Sequence, residues 1–311
     1  LAPQWSYRTL MLAWAAYAWF VAAATWWIAG QRTTHRAAGP PQALIRMAAV
    51  WVRVAGIAAV LLGLKAAMIH DKWEDLLWSA AAIATASAAG ATMAVWRRRE
   101  GWAFAAALGT NLAASLVVWY FHREFGSFDE WARRLVLANV IASSAVALIW
   151  LAARKRLYRL REVTLRESPL LAVQMALPVA ALAAVVFIQV LARVFGMEDL
   201  FVRLGRLDWL ALVATTAPVA VGLWDRSSRW ALPGLYALAL LAVGMGLCQR
   251  GLSGHDFHHA AAMELAALVL ITAVLGRVSP WLNKAWQAAG IPVDNRRWPP
   301  DWFPTLGAVV A

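Results

Sequence analysis

The sequence predicts an all-α, polytopic membrane protein with about nine transmembrane helices in tandem, parallel four-helix repeat units. The first observation is composition, since 62% of the 311 residues are hydrophobic and only 15% are charged. The second is a series of long apolar runs, because a helix needs roughly 20 apolar residues to cross a bilayer. The third is internal similarity at one fixed offset, which is the mark of a repeat architecture.

The repeat has an offset of 128 positions and no gap. The charged hairpin at 96–103 returns at 224–231, so that Trp96 pairs with Trp224 and Trp102 with Trp230. Between Pro41 and Gly126, 15 of the 86 aligned pairs are identical. The matches include uncommon residues at the ends of apolar runs, which indicates duplication of a helical unit rather than chance similarity between alanine-rich stretches.

The predicted domains follow this offset. The first unit covers 1–128, with spans at about 9–29, 44–69, 77–96 and 102–121. The second covers 129–256, with spans at about 134–153, 170–194, 209–224 and 231–249. The remainder, 257–311, holds a ninth span at about 259–276, a connector at 277–303 and the start of a third unit. Because the chain begins with Leu and ends inside an apolar run, we expect it to be a fragment of a larger protein.

Loop charges predict the orientation in the membrane. Alternate loops contain 17 Lys/Arg and 6 Asp/Glu, whereas the loops between them contain 7 Lys/Arg and 10 Asp/Glu. Basic residues concentrate on the cytoplasmic side of short loops. We therefore expect an extracytoplasmic N-terminus and a cytoplasmic connector at 277–303, in a plasma membrane of the bacterial inner-membrane type. The net charge of +12 has the same explanation, so nucleic acid is not predicted as a partner.

Tryptophan and cysteine usage agree with a membrane setting. Many of the 20 tryptophans lie near the ends of apolar runs, where indole prefers the headgroup region. The single cysteine, Cys248, excludes an intrachain disulfide framework. No motif for a cofactor is present, and none is assigned.

Four basic residues inside predicted spans are candidates for anion binding: Arg46, Arg53, Lys65 and Arg193. A charge at bilayer depth costs about 2.5 kcal/mol or more on insertion scales, so it usually faces a cavity or a partner. These residues would neutralise an anionic lipid or a lipid-linked substrate. The alternative, which stays open, is that the long side chains reach the interface or that Lys65 and Arg193 pair with Asp71 and Asp199.

A second candidate is a polar cluster around the start of the ninth span, made of His255, Asp256, His258, His259 and Glu264. Imidazole and carboxylate groups serve as metal ligands or as acids and bases. The spacing matches no known ligand motif, so no metal is assigned. The plain alternative is a polar extracytoplasmic loop followed by a helix start.

Two functional hypotheses follow. In the first, the chain is a non-enzymatic transporter-like or scaffold bundle that contacts the lipid bilayer and other membrane subunits. In the second, it is a membrane enzyme acting on a lipid-linked anionic substrate at the extracytoplasmic face. The enzyme hypothesis requires acids and histidines to converge beside a basic residue, whereas the bundle hypothesis does not. We favour the non-enzymatic hypothesis because the polar residues are few and dispersed.

Overall fold

The prediction of an all-helical chain is confirmed for the part that the computed structural model describes. That part comprises 3–32, 42–69, 73–97, 99–121, 127–158, 168–197, 204–224, 231–252 and 254–288. It contains nine α-helices and no strand: α1 Pro3–Arg32, α2 Gln42–Ile69, α3 Trp73–Arg97, α4 Glu100–Tyr120, α5 Phe128–Tyr158, α6 Pro169–Phe195, α7 Arg206–Trp224, α8 Ala231–Gln249 and α9 Gly254–Ala288.

Five of these helices are long and apolar enough to cross a membrane. The stretches are Arg46–Met68, Glu74–Arg97, Glu100–Tyr120, Phe128–Ala153 and Pro169–Phe195. Gly234–Gln249 in α8 is apolar but shorter. The other predicted spans lie in helices α1, α7 and α9, whose described residues do not form an equally long apolar stretch. Length and composition therefore agree with a membrane protein, and they support five spans directly.

The bounds of α9 differ from the sequence prediction. The helix runs from Gly254 to Ala288, so it starts before the predicted ninth span and includes the first part of the predicted connector. Residues 289–311, where the remaining connector and the third unit were predicted, lie outside the described residues. The continued helix has a simple reason, because residues 281–288 are mostly good helix formers such as Leu, Lys, Ala and Gln.

The chain divides into two compact units, which do not follow the chain order. Unit 1 comprises Leu1–Val185 and Gly205–Leu238, and unit 2 comprises Val186–Leu204 and Ala239–Ala311. Helices α6 and α8 contribute to both. Compactness does not test a sequence repeat, so the predicted repeat boundaries at 128 and 256 stay a prediction.

In unit 1, α3 lies at the centre and packs against α1, α2 and α4. Half of its membrane-length stretch is buried, the largest share among the five. Its small residues explain this position, since they let helix backbones approach closely. A Cβ added at Gly109 of α4 would lie 2.1 Å from the Ser87 hydroxyl of α3, and one at Gly90 would lie 3.5 Å from Ala106. The α3–α4 interface is therefore too close for larger side chains.

Two apolar clusters of unit 1 matter for the candidate site. The first joins α1, α2 and α3 and has Trp96 and Trp102 at its edge; its buried members are Ala18, Ala22, Ala49, Val52, Ala55, Ala89 and Met93. The second joins the end of α3 and the start of α4 to α5 and α6, through Ala94, Ala103, Ala147, Trp150, Leu151, Leu171 and Met175. Both clusters therefore flank the α3–α4 hairpin.

Unit 2 contains the end of α6, most of α8 and all of α9. A Cβ at Gly244 of α8 would lie 3.0 Å from Val186 of α6, so these helices also pack through a glycine. Gly196 directly follows the last residue of α6, and its φ of 66° is accessible to glycine without strain. Arg193 then donates a 3.3 Å hydrogen bond to the carbonyl of Leu252, which follows α8.

Candidate functional site

Arg46 and Arg53 lie on one exposed side of α2. They are seven positions apart, which is two helical turns, so their side chains leave the helix in nearly the same direction. Their separation along the axis is about 10 Å, since each residue advances an α-helix by about 1.5 Å. Arg46 is the first residue of the apolar stretch of α2. One side of α2 therefore carries a cation at the edge of this stretch and another within it.

The Arg53 guanidinium lies against the hairpin between α3 and α4. Its central carbon is 5.1 Å from the centroid of the Trp102 ring, within the range of a cation–π contact. Trp102 also packs against the apolar cluster of α1, α2 and α3. Its ring thus connects this cluster to the Arg53 guanidinium. The hairpin that recurs in the sequence and the arginines of α2 meet at one place.

Two hairpin arginines add to this positive charge. The Arg97 guanidinium interacts electrostatically with those of Arg99, Arg53 and Arg46. We call these four residues the arginine cluster. In the described part of the chain, neither Arg46 nor Arg53 has a carboxylate within 4.0 Å. Like charges repel one another, and an anion that lies between them offsets this repulsion.

Glu100 is the carboxylate that follows the hairpin arginines in the sequence. Glu100 accepts hydrogen bonds from the Ser168 hydroxyl and, at 3.4 Å, from the Leu170 amide. These groups belong to the start of α6, where unpaired amides and the helix dipole favour a negative charge. Pro169 occupies the first position of this helix, where its missing N–H costs nothing. Glu100 therefore stabilises the start of α6.

Lys65 and Arg193, the other two predicted anion-binding residues, do not join the arginine cluster. Lys65 is exposed near the opposite end of α2, about 18 Å along the axis from Arg53 at about 1.5 Å per residue. Arg193 belongs to unit 2, where it is buried and hydrogen-bonded to the carbonyl of Leu252. Asp71 and Asp199, their predicted alternative partners, lie outside the described residues.

The predicted polar cluster of unit 2 separates into four parts. His255 and His259 face each other on the first turns of α9, with 2.9 Å between their Nε2 atoms. The His258 ring contacts the Gly254 carbonyl of its own helix at 2.6 Å. Glu264 forms a 2.6 Å ion pair with Arg250, and Asp256 is exposed. Only the two histidines one turn apart are brought together.

Among the residues with described side chains, no three His, Cys, Asp or Glu groups are placed to hold one metal ion. No protein-family model matches this chain, and no curated protein or solved structure matches it. Function must therefore be argued from the geometry.

Sequence reasoning missed two buried ion pairs in unit 1. Arg8 of α1 lies 2.6 Å from Asp75 of α3, with a longer contact to Glu74 at 3.3 Å. Arg133 of α5 lies 2.5 Å from Asp208 of α7. Both acids are almost fully buried, since Asp75 is 3% exposed and Asp208 is 1% exposed. Each pair therefore joins two helices that are far apart in sequence.

A sequence signal exists for the position of the acids in these pairs. Each arginine is the sixth residue of its helix, and each aspartate is the third residue of its helix. An acid at the third helical position reaches back to the amide before the helix, and Asp208 does so at 2.6 Å from the Gly205 amide. Both acids lie just before the predicted spans at about 77–96 and 209–224, so the sequence prediction does not include them in the first helical turn.

Several other polar side chains of unit 1 bond across helix interfaces. Asn111 donates to Ser143 at 2.7 Å, and Asn139 donates to Ser115 at 2.9 Å, which joins α4 to α5. Gln174 of α6 donates to the Ser143 carbonyl of α5. The hydroxyls of Ser144 and Thr215 lie 3.3 Å apart, which joins α5 to α7. Such contacts stabilise helix pairs inside a bilayer.

Proposed function

We propose that this chain is a multi-pass membrane protein whose helices form a non-enzymatic bundle, and that the bundle is a scaffold rather than a transport pathway. The observation that carries the proposal is the pairing of polar side chains across the helix interfaces of unit 1. A transport pathway needs polar groups that are left for a solute or for water. Here the amides of Asn111 and Asn139 and the hydroxyls that they contact hold helices together, which is what a scaffold requires.

Nine spans in tandem repeat units are part of this proposal. The bounds of α6 to α9 lie within five residues of the positions 128 after those of α2 to α5. The Arg8–Asp75 and Arg133–Asp208 pairs occupy equal helix positions in the first and second predicted units. Four helices per unit place successive units in the same orientation, with the N-terminus extracytoplasmic in a bacterial-type inner membrane. The proposed partners are the lipid bilayer and other membrane subunits.

No specific observation favours the enzyme hypothesis. It requires carboxylates and imidazoles beside a basic residue that holds an anion. In the described part of the chain, Asp75 and Asp208 are engaged by Arg8 and Arg133, and Glu100 is engaged at the start of α6. These acids have structural partners, and none of them is paired with Arg53.

Cysteine labelling in intact cells tests the membrane topology. The buried Cys248 is first replaced by serine, which leaves no background thiol. Asp129→Cys and Gly101→Cys then place one exposed thiol at each predicted membrane face. We expect a membrane-impermeant maleimide to label position 129 in intact cells and position 101 only after permeabilisation. The reverse pattern would overturn the orientation, and recovery of the protein in the soluble fraction would overturn the membrane assignment.

Cysteine labelling in the same Cys248→Ser variant also distinguishes a scaffold from a transport pathway. Ser143 lies inside the α4–α5–α6 interface and is 5% exposed. In a scaffold, Ser143→Cys stays unreactive towards a charged, water-soluble thiosulfonate, while Asp129→Cys reacts fully. Rapid labelling of position 143 from either side, in a variant that keeps its thermal stability, would identify a water-filled pathway instead.

A further inference from the structure

We propose that the arginine cluster and Trp102 bind the phosphate group of an anionic lipid at the membrane interface. This inference rests on the proposed membrane location and specifies a ligand class for the bundle. Its residues come from two helices and the hairpin between α3 and α4.

The positive charge on α2 is complementary to an anion. The Arg97 guanidinium interacts electrostatically with those of Arg99, Arg53 and Arg46. In the described part of the chain, Arg46 and Arg53 have no carboxylate within 4.0 Å. A guanidinium is planar and always charged, and its fork of N–H donors matches phosphate oxygens in pairs. A phosphate shared by two or more of these arginines would turn mutual repulsion into attraction.

The cluster lies where headgroups are expected. Arg46 begins one apolar stretch, Arg97 ends the next, and Arg99 directly precedes the third. Each of these three consecutive stretches therefore has an arginine of the cluster at or beside one of its ends. Trp102 is two residues inside α4, at the depth where indole rings prefer the headgroup region. The phosphate of a lipid in the bilayer would reach these side chains while it stays in the headgroup region.

The exposed side of α2 favours a lipid over free phosphate. Arg46, Val50, Arg53, Ile57 and Leu61 follow one another at spacings of four and three, which places them on one helical face. All five are exposed, with Ile57 at 60% and Leu61 at 61%. The face is thus cationic at the interface and apolar below it. An amphiphile with a phosphate head and an acyl chain is complementary to both parts, whereas inorganic phosphate uses only the first.

The test measures retention of radiolabelled phosphatidylglycerol by the purified chain in a neutral detergent. Each arginine near an anionic lipid contributes about fivefold to binding. We therefore expect Arg46→Gln and Arg53→Gln each to weaken retention about fivefold and the double variant to weaken it further. Arg206→Gln is the matched control, because it removes an exposed charge from the start of α7 and should leave retention unchanged.

Two competition arms identify the source of the phosphate. Unlabelled phosphatidylglycerol should displace the bound lipid, and millimolar inorganic phosphate should not. Displacement by inorganic phosphate alone would show a site for free anions and overturn the lipid assignment. Equal retention by the wild type and by a stably folded double variant would overturn the site itself.

Further variants keep the test decisive if the double variant does not fold. Arg53→Lys keeps the charge but loses the fork of donors, so we expect retention between those of wild type and Arg53→Gln. Trp102→Leu removes the ring beneath Arg53 and should also lower retention. Unchanged retention in both variants would contradict the proposal. Cysteine labelling at positions 101 and 129 reports separately on membrane insertion, so loss of the lipid site and failure of the membrane assignment give different results.

Discussion

Arg133 in the second turn of α5 forms a 2.5 Å ion pair with Asp208 in the first turn of α7. Arg8 and Asp75 repeat this arrangement between α1 and α3, with the same positions in their helices. The acid of each pair lies in the first turn of its own helix, where its negative charge interacts favourably with the positive end of the helix dipole. The two pairs therefore tie the first helix of each predicted unit to the third helix of that unit.

Loss of the Asp208 charge should destabilise unit 1. Asp208→Asn leaves the Arg133 guanidinium, whose side chain is 11% exposed, without its anionic partner. Breaking a buried pair costs about 3–5 kcal/mol of unfolding free energy. The measurement is denaturant unfolding in detergent. Glu130→Gln serves as a control, because the Glu130–Arg134 pair is half-exposed and contributes about 0.3–0.5 kcal/mol. Equal losses in the two variants would contradict a special role for Asp208.

Removing both partners of the other pair should cost less than removing one. One carboxylate oxygen of Asp75 has no hydrogen-bond partner among the described residues, so the pair is incompletely satisfied. Apolar replacement of a buried pair is often neutral or stabilising, whereas a lone charge is not. We expect Arg8→Met with Asp75→Leu to unfold at a higher denaturant concentration than either single variant. A double-mutant cycle in which the two losses simply add would refute this coupling.

The close contact between α3 and α4 should reject a large residue at Gly109. A side chain there starts 2.1 Å from the Ser87 hydroxyl and 3.4 Å from its Cβ, and overpacking costs about 1–3 kcal/mol. Gly109→Leu should lower the melting temperature accordingly. Gly56→Leu is the matched control, since nothing lies within 4 Å of a Cβ at that position of α2. It should be neutral or stabilising, because leucine is the better helix former by about 0.8 kcal/mol.

The hydrogen bonds between α4 and α5 should make a measurable but small contribution. Asn139 exchanges hydrogen bonds with Ser115 at 2.9 and 3.2 Å. Such contacts average about 0.6 kcal/mol in membrane bundles and reach about 1.7. Asn139→Leu should reduce the unfolding free energy within that range. Thr92→Val removes a hydroxyl that bonds only to its own helix at Ala88, so its effect should be smaller, and a larger one would contradict the interhelical role.

Part of the candidate site was predictable from the sequence. The seven-residue spacing of Arg46 and Arg53 places both on one side of α2, and that spacing is a local property of a helix. The charged hairpin near Trp102 was also recognisable, from its recurrence. Their contact was not predictable, because 49 positions separate Arg53 from Trp102. Lys65 lies about 18 Å from Arg53 along the axis of α2, because residues on one helix can lie at opposite ends of it.

The buried ion pairs illustrate the same limit. Asp75 and Asp208 resemble ordinary loop acids in the sequence, because each stands beside a charged or turn-forming segment. Their burial depends on an arginine that arrives from a helix 67 or 75 positions away. No periodicity within one helix encodes such a partner.

The sequence by itself determined that this chain is helical and that several of its helices are long and apolar enough for a membrane. Run length, small residues and turn signals act within one helix or between neighbours, so they can be read along the chain. Only the tertiary structure decided which charges meet. Helix packing brought Arg53 to Trp102 and Arg97, and Arg8 to Asp75. The physical reason is that a contact between helices depends on their relative rotation and depth, and these are set by the fit of many small side chains at once.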